Sequence, residues 1–491
     1  MRTLPALLAT AFVLLAAAAR GADRENRPPN ILFALGDNWG WPHAGVLGDP
    51  LAQTPVFDRI AREGVMFSHT FCPVPSCSPT RSCILTGRAA HQLAEAASLW
   101  SKFDRSHGVF TEQLRDGGYD VGFTGKGWSP GNFKDSGWSE NPVGREHASF
   151  EEFLAKRDKA KPFFFWLGNV DTARHRWRYD AEGTAGLDPA KLTVPPQFPD
   201  DPATRASLLA YYGGVRRMDA AIGGEIARLE QLGLLEDTIV IYTSDNGWQL
   251  PRGLGNCYDT GTRVPLAVRW GRRLTAGRVC EDFISLTDLA PTFLELAGLP
   301  VQPDTTGRSF ADVILNRPGA VARDAVFLER ERHANVRRGN LSYPVRGIRT
   351  KDFLYLWNLR PERWPAGDPE LYHSVGPFGD IDSSPLKELL VNSAGRPELA
   401  RFRALSLERR PAEELYDLRS DPHQLTNVAA RAAYADDRRE LRSRVERWMR
   451  DTADPRVDPA YDGWDQMEYF GPPLRTVEKN RKPAKGETAA K

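Results

Sequence analysis

Short apolar runs of strand length recur along this chain, and each breaks off into residues that can do chemistry. Ile31 to Leu35 (ILFAL) runs into Gly36-Asp37-Asn38, and Tyr119 to Thr124 (YDVGFT) into Gly125-Lys126. Pro162 to Leu167 (PFFFWL) leads towards Asp171 and His175, and Ile239 to Thr243 (IVIYT) into Ser244-Asp245-Asn246-Gly247. Helical patterns lie between them. The clearest has Val215, Met218, Ile222, Ile226 and Leu229 at spacings of three and four, which puts them on one helix face. Strands alternating with helices imply a largely parallel sheet between helical layers. Ligands of such sheets bind outside the carboxyl ends of the strands. That edge is expected to gather Asp37, Asn38, Lys126, Asp171, Asp245 and Asn246. Acid–amide pairs at two strand ends suit one hard divalent cation, since calcium takes roughly six to eight oxygen ligands and magnesium fewer. Each pair taken alone is equally an ordinary turn after a strand.

The first residues, MRTLPALLATAFVLLAAAARGADRE, have the basic, apolar and small-residue order of a secretory signal peptide, and the apolar run is short for a membrane span. Residues 1–22 are therefore expected to be cleaved. The mature protein is expected to be secreted or periplasmic, with no stable membrane insertion. Formal charge is +1, from 65 basic and 64 acidic residues; removing Arg2 and Arg20 leaves 63 against 64, or −1. Neither value points to nucleic acid or a charged membrane, so an anionic substrate must be held by a local pocket. At 491 residues the chain has room for two domains. The expected division is a catalytic α/β domain over 28–325, a C-terminal α+β subdomain over 326–473 and a disordered Lys-rich tail over 474–491.

The cysteines are Cys72, Cys77, Cys83, Cys257 and Cys280, an odd count that leaves one unpaired or chemically special in an exported protein. Their spacing does not match a structural zinc site. Cys77 lies in FCPVPSCSPTRSCILTGR, where Pro79 suits the first turn of a helix and Gly87 its end. Cys77 would then sit at a helix N-terminus, where the dipole and free N–H groups favour an anion. On these grounds it is a small core residue, half of a disulfide, a metal thiolate, or a nucleophile or the precursor of one.

Cys77-Ser78-Pro79-Thr80-Arg81 followed by Leu85-Thr86-Gly87-Arg88 resembles the signature of the sulfatase family, C-x-P-[S/T]-R with L-T-G-R after it. Asn30 to Asn38, Gly125-Lys126, Asp237 to Gly247, and Glu414 to Leu418 with Asp421-Pro422 and Asn427 resemble the family's other segments, in order, across Pro28 to Pro473. Tyr343 to Arg346, Ile348 to Asp352, Pro361 to Pro365 and Gly253 to Pro265 are most similar to the heparan N-sulfatases (sulfamidases) and their bacterial relatives. The resemblance implies an alkaline-phosphatase-like α/β core, with a large mostly parallel sheet between helices, and a smaller C-terminal α+β domain with an antiparallel sheet. It implies that a formylglycine-generating maturation enzyme oxidises Cys77 to Cα-formylglycine. The substrate implied is a sulfated saccharide, including N-sulfoglucosamine.

What the resemblance implies for the site is a calcium ion, in preference to magnesium, held by Asp37, Asn38, Asp245, Asn246 and the modified Cys77. One hydroxyl of the hydrated aldehyde would attack sulfur, and the other would later expel sulfate. Arg81 would steady the diol or the metal carboxylates. Lys126 would contact the sulfuryl group, where loss of one preorganised contact typically costs on the order of 100-fold in rate. The leaving amine or alcohol needs a general acid. The family pattern Asp-Pro-His-Arg is broken here by Asp171-Thr172-Ala173-Arg174-His175, so His175 is expected to act after a two-residue shift. Asn38 stands for an expected Asp, Leu254 for a Lys or Arg, and Trp128 for a histidine common in the family. Glu331, Arg332, His333 and Arg346 are expected to include sugar-binding residues. Two other functions fit these residues: a phosphoester or phosphonate hydrolase of the same superfamily, and a non-catalytic binder of sulfated glycans.

Overall fold

The computed structural model describes residues 27–372, 376–472 and 475–476; the expected signal peptide and almost all of the expected tail lie outside them. Eight strands form the main sheet. In chain order they are β1 (Asn30–Gly36), β2 (Val65–Phe71), β3 (Asp120–Gly125), β4 (Arg145–Glu146), β5 (Phe163–Asn169), β6 (Thr238–Ser244), β7 (Leu266–Arg269) and β8 (Arg278–Ser285). Across the sheet they run β8-β2-β7-β6-β1-β5-β3-β4. All neighbours pair in parallel except β7, which is antiparallel to both β2 and β6. The four apolar runs are thus β1, β3, β5 and β6, with β1 in the middle of the group.

Strand alternation divides the core into two layers. Ile31, Phe33 and Leu35 of β1 face one layer, shared with α2 (Cys77–Thr86), α3 (Phe110–Asp116) and α5 (Leu289–Leu296). Leu32 and Ala34 face the other, shared with α1 (Pro55–Glu63) and α4 (Pro202–Gln231). The face read from the sequence, Val215 through Leu229, lies on α4 and is buried there. A strand buried on both sides needs apolar residues at every position, which is why β1 reads as an unbroken run.

The second sheet is an antiparallel meander of β9 (Ala325–Arg330), β10 (Val345–Thr350), β11 (Phe353–Asn358) and β12 (Glu413–Asp417). One face, with Leu328, Val345, Leu354, Leu356 and Tyr416, packs on Phe71, Tyr258 and Phe283. The other, with Ile348, Tyr355 and Leu415, is covered by Leu441, Val445 and Met449 of α6 (Ala435–Asp451). Among the described residues no helix is long and apolar enough to cross a membrane.

Candidate active site

Sheet register brings the polar strand ends together. Gly36 of β1 pairs with Ser244 of β6 and Asn169 of β5, and Gly125 of β3 pairs with Gly168 of β5. Asp37, Asp245 and Lys126 each follow one of these aligned residues, so they emerge on one edge. Asn38 has φ 71°, a left-handed conformation that Asn and Asp adopt more readily than most residues. The chain must also pass close to its neighbour at Gly125 (φ 74°), where a Cβ would lie 2.1 Å from the carbonyl oxygen of Gly168.

Cys77 is the first residue of α2, after the N-cap Ser76, and Gly87 ends the helix with φ 68°. Arg81 lies one turn further along, on the same face as Cys77, and is fully buried. Its Nε donates to Asp245 Oδ2 at 2.9 Å and its Nη2 to Asp37 Oδ1 at 3.3 Å. Its Nη1 donates to the carbonyls of Lys126 and Gly127 at 2.8 and 2.9 Å. Lys126 Nζ donates to Asp37 Oδ1 at 2.6 Å. One arginine therefore joins three strand ends to the helix that begins at Cys77.

Burial favours the neutral form of Asp37, but Lys126 and Arg81 outweigh it and hold that carboxyl well below the ordinary range. Asp245 is pushed upward by burial and by the charge of Asp37. Burial also drives the Cys77 thiol far up, despite the opposing pull of Lys126. An unmodified Cys77 is therefore a neutral thiol and a poor nucleophile. Unlike a disulfide half, it is free, as are the other four cysteines, all buried.

The donor set fits a hard cation. Ligand atoms of Asp37, Cys77 and Asp245 all lie within 4.8 Å of one another. Asn246 Nδ2 donates to Asn38 Oδ1 at 2.6 Å, while Asn38 Nδ2 and Asn246 Oδ1 are buried without a hydrogen-bond partner. An unsatisfied amide oxygen at full burial is costly, and a cation between the two side chains would give Asn246 Oδ1 a partner. Asp171 stays apart from this cluster, bonded to Asn169.

A cavity of about 400 Å³ opens at the cluster. Asp37, Asn38, Cys77 and Lys126 line it together with Ala173, His175, Leu254 and His333. His175 is exposed, in a short turn over Arg174–Arg176, whereas His333 is buried with Nδ1 2.8 Å from Ser76 Oγ. Trp128 is buried outside the cavity lining, and its indole N–H donates to Ser82 Oγ at 2.8 Å.

The remaining candidates from the C-terminal half are committed elsewhere. Arg346 is fully buried between Glu331 (2.8 Å) and Asp454 (2.5 Å), and Glu331 also pairs with Arg456 at 2.8 Å. Arg332 donates to the carbonyls of Met467 and Glu468 at 2.9 and 3.0 Å. None of Glu331, Arg332 and Arg346 lines the cavity. Their charges need partners once buried, and the fold supplies those partners from the chain itself. Sequence inspection had passed over Trp100, Gln249 and Asp382, which do line it. Gln249 follows Asp245 closely enough to be suspected, but no motif marks Asp382.

The sequence matches a family model described as Sulfatase over residues 29–299, and one described as N-sulphoglucosamine sulphohydrolase, C-terminal, over residues 254–368. Human N-sulphoglucosamine sulphohydrolase is 30% identical over 484 residues, covering 88% of this chain and 92% of that protein. Among solved structures, one described as a complex with its substrate D-glucosamine-2-N,6-O-disulfate has a TM-score of 0.60 at 20% identity, covering 90% of this chain and 100% of the other. A phosphonate monoester hydrolase of Agrobacterium radiobacter has a TM-score of 0.59 at 18% identity, covering 86% and 96%.

Proposed function

The chain belongs to the sulfatase family, and on that premise we propose that it removes N-linked or O-linked sulfo groups from glucosamine-containing, glycosaminoglycan-type saccharides after export from the cell. One observation carries this most: Cys77, Arg81, Lys126, Asp37 and Asp245 converge in one buried cluster beside a cavity large enough for a saccharide unit. The N-sulphoglucosamine named for the human relative and the glucosamine disulfate of the structural neighbour support the choice of sugar.

Asp37, Asp245, Asn38 and Asn246 would hold a calcium ion, which when bound supplies positive charge for the sulfuryl oxygens. Cys77 would be the precursor of Cα-formylglycine, installed by a maturation enzyme, whose hydrate supplies the attacking hydroxyl. The protein's own side chains set the stage for both. With both carboxylates ionised, Asp37 and Asp245 would balance Arg81 and Lys126, so a bound dication would leave the cluster with +2. That excess suits an anionic sulfo group. Arg81 fixes the carboxylates, and Lys126 holds an ammonium at the cavity wall. His175 would give the proton to the departing oxygen or nitrogen, with His333 lining the same space. Leu254 and Ala173 present no polar group to the sulfo group, which makes the reaction depend more heavily on Lys126.

The test is peptide mass spectrometry of the Cys77 segment from protein made beside a maturation enzyme, followed by sulfate release from glucosamine N-sulfate. An aldehyde or its hydrate with sulfate release is expected. An unmodified thiol, while a control sulfatase is converted in the same cells, would sink the mechanism and favour a non-catalytic glycan binder. The fold is shared with a phosphonate monoester hydrolase. Paired sulfate and phosphate esters of one alcohol would therefore show which group is cleaved.

A further inference from the structure

Asp382 comes from the C-terminal half of the chain but lines the same cavity as Cys77 and Lys126. Among the described residues a single hydrogen-bond donor reaches its carboxylate, the side-chain amide of Gln249 on Oδ2. The opposite end of that amide is also engaged, since Gln249 Oε1 accepts from the backbone N–H of Arg174. Arg174 in turn donates through Nε to the carbonyl of Ser383. These bonds tie together three segments: the loop after β5, the loop after β6 and residues 382–383. The Asp382 carboxylate is thereby fixed in place.

Asp382 is half-buried, so the acceptor capacity that Gln249 leaves over is open to water or to a ligand in the cavity. Here burial raises the Asp382 carboxyl, while Lys387, Arg174 and His175 oppose that shift through charge alone. Lys387 gives its ammonium to the carbonyl of Ile381. The wall of the cavity thus holds a positioned acceptor with unused capacity, outside the hydrogen-bond network that Arg81 and Lys126 make with Asp37 and Asp245. It is the wrong charge for a sulfo group and the right one for hydroxyl or amine hydrogens. Trp100 lines the cavity too, and an indole face suits the apolar face of a sugar ring.

We propose that Asp382, held by Gln249, is a specificity-determining residue that accepts hydrogen bonds from the unsulfated hydroxyl or amino groups of the sugar unit whose sulfo group is removed. The inference rests on the sulfatase reading above. It separates two tasks in one cavity: Lys126 and its neighbours take the anion, and Asp382 takes the neutral or cationic edge of the sugar.

The experiment compares wild type with Asp382→Asn, which keeps size and an amide contact to Gln249, and with Asp382→Ser in case the first variant folds poorly. The first readout is the ratio of kcat/KM for glucosamine N-sulfate to kcat/KM for 4-nitrophenyl sulfate, which has no sugar hydroxyls. A hydrogen bond to a charged acceptor predicts a fall of roughly 10- to 100-fold in that ratio. An unchanged ratio, with both substrates equally affected or neither, would overturn the proposal. The second readout is calorimetric binding of glucosamine N-sulfate in a Cys77→Ala background, which needs no turnover. There the Kd should weaken by a similar factor when Asp382 is replaced. Binding that is equal with and without Asp382 would overturn the proposal too. A wild-type enzyme that binds this saccharide through Asp382 yet releases no sulfate would instead sink the sulfatase mechanism alone.

Discussion

Replacing Arg346 by Met would separate a structural role from a substrate-binding one. Arg346 is fully buried on β10, with Nε on Asp454, Nη2 on Glu331 and Nη1 on the carbonyl of Val345 at 2.9 Å. Methionine keeps most of the length and removes all of the charge. Glu331 would keep its bond to Arg456 at 2.8 Å, so the loss falls mainly on Asp454. That carboxylate would retain the backbone N–H of Arg456 at 3.0 Å and a distant His91 at 3.9 Å. Breaking a buried pair while leaving one charge in place costs about 3–5 kcal/mol, or roughly 10²- to 5 × 10³-fold in the unfolding equilibrium. Urea unfolding at neutral pH, followed by tryptophan fluorescence, measures this directly. Its pH dependence has a definite sign. Burial raises the Asp454 carboxyl, but Arg346 outweighs it and holds it below the ordinary value of 3.8. The stabilisation is therefore complete above that value and is lost as pH falls through the depressed one, so wild type and variant should converge in acid. The folded variant should keep the wild-type KM for a saccharide sulfate. Near-normal stability with a raised KM would refute the structural account and return Arg346 to the sugar site.

Two further perturbations probe the cation site and a buried acid. Asn38→Asp should tighten calcium binding by about tenfold or more, since ligand charge count tunes such sites; a larger calcium-induced rise in unfolding midpoint would show it, and no gain would exclude Asn38 as a donor. Asp219 accepts from the backbone N–H groups of Val56 and Phe57 at the start of α1, both at 2.9 Å, yet burial pushes its carboxyl up to about 6 from 3.8. Wild type should therefore lose stability relative to Asp219→Asn as pH rises from 3.8 through about 6, by about 3 kcal/mol in total, and a flat difference across that window would contradict the assignment.

What was legible from sequence is the part that depends on local order. Strands β1, β3, β5 and β6 announce themselves because a doubly covered parallel strand must be apolar throughout, and Asp37, Lys126 and Asp245 of the buried cluster directly follow β1, β3 and β6. Register then does the rest: once Gly36 lies beside both Ser244 and Asn169, Asp37 and Asp245 must be neighbours. The antiparallel insertion of β7 was not legible, because a four-residue strand carries no sign of its direction.

The C-terminal half shows why the site itself was only half readable. Glu331, Arg332, His333 and Arg346 look alike in sequence, as charged or titratable residues near one another. Burial sorts them: an arginine that finds two carboxylates and a carbonyl is consumed by the fold, while His333 reaches Ser76 next to Cys77 and lines the cavity. Such sorting depends on which partner arrives from a hundred or more residues away, as Asp454 does for Arg346 and Asp382 does for Gln249. A motif can encode a strand end and the anion-binding machinery built on it. The rest of the cavity wall is built partly from long-range pairs with no local signature, so two chains could share every motif residue and differ in the ligand they accept. Contacts joining the two halves of the chain reach the Cys77 cavity at His333 on Ser76 and at Asp382 on Gln249, and the second is where the proposed sugar contact would decide substrate choice.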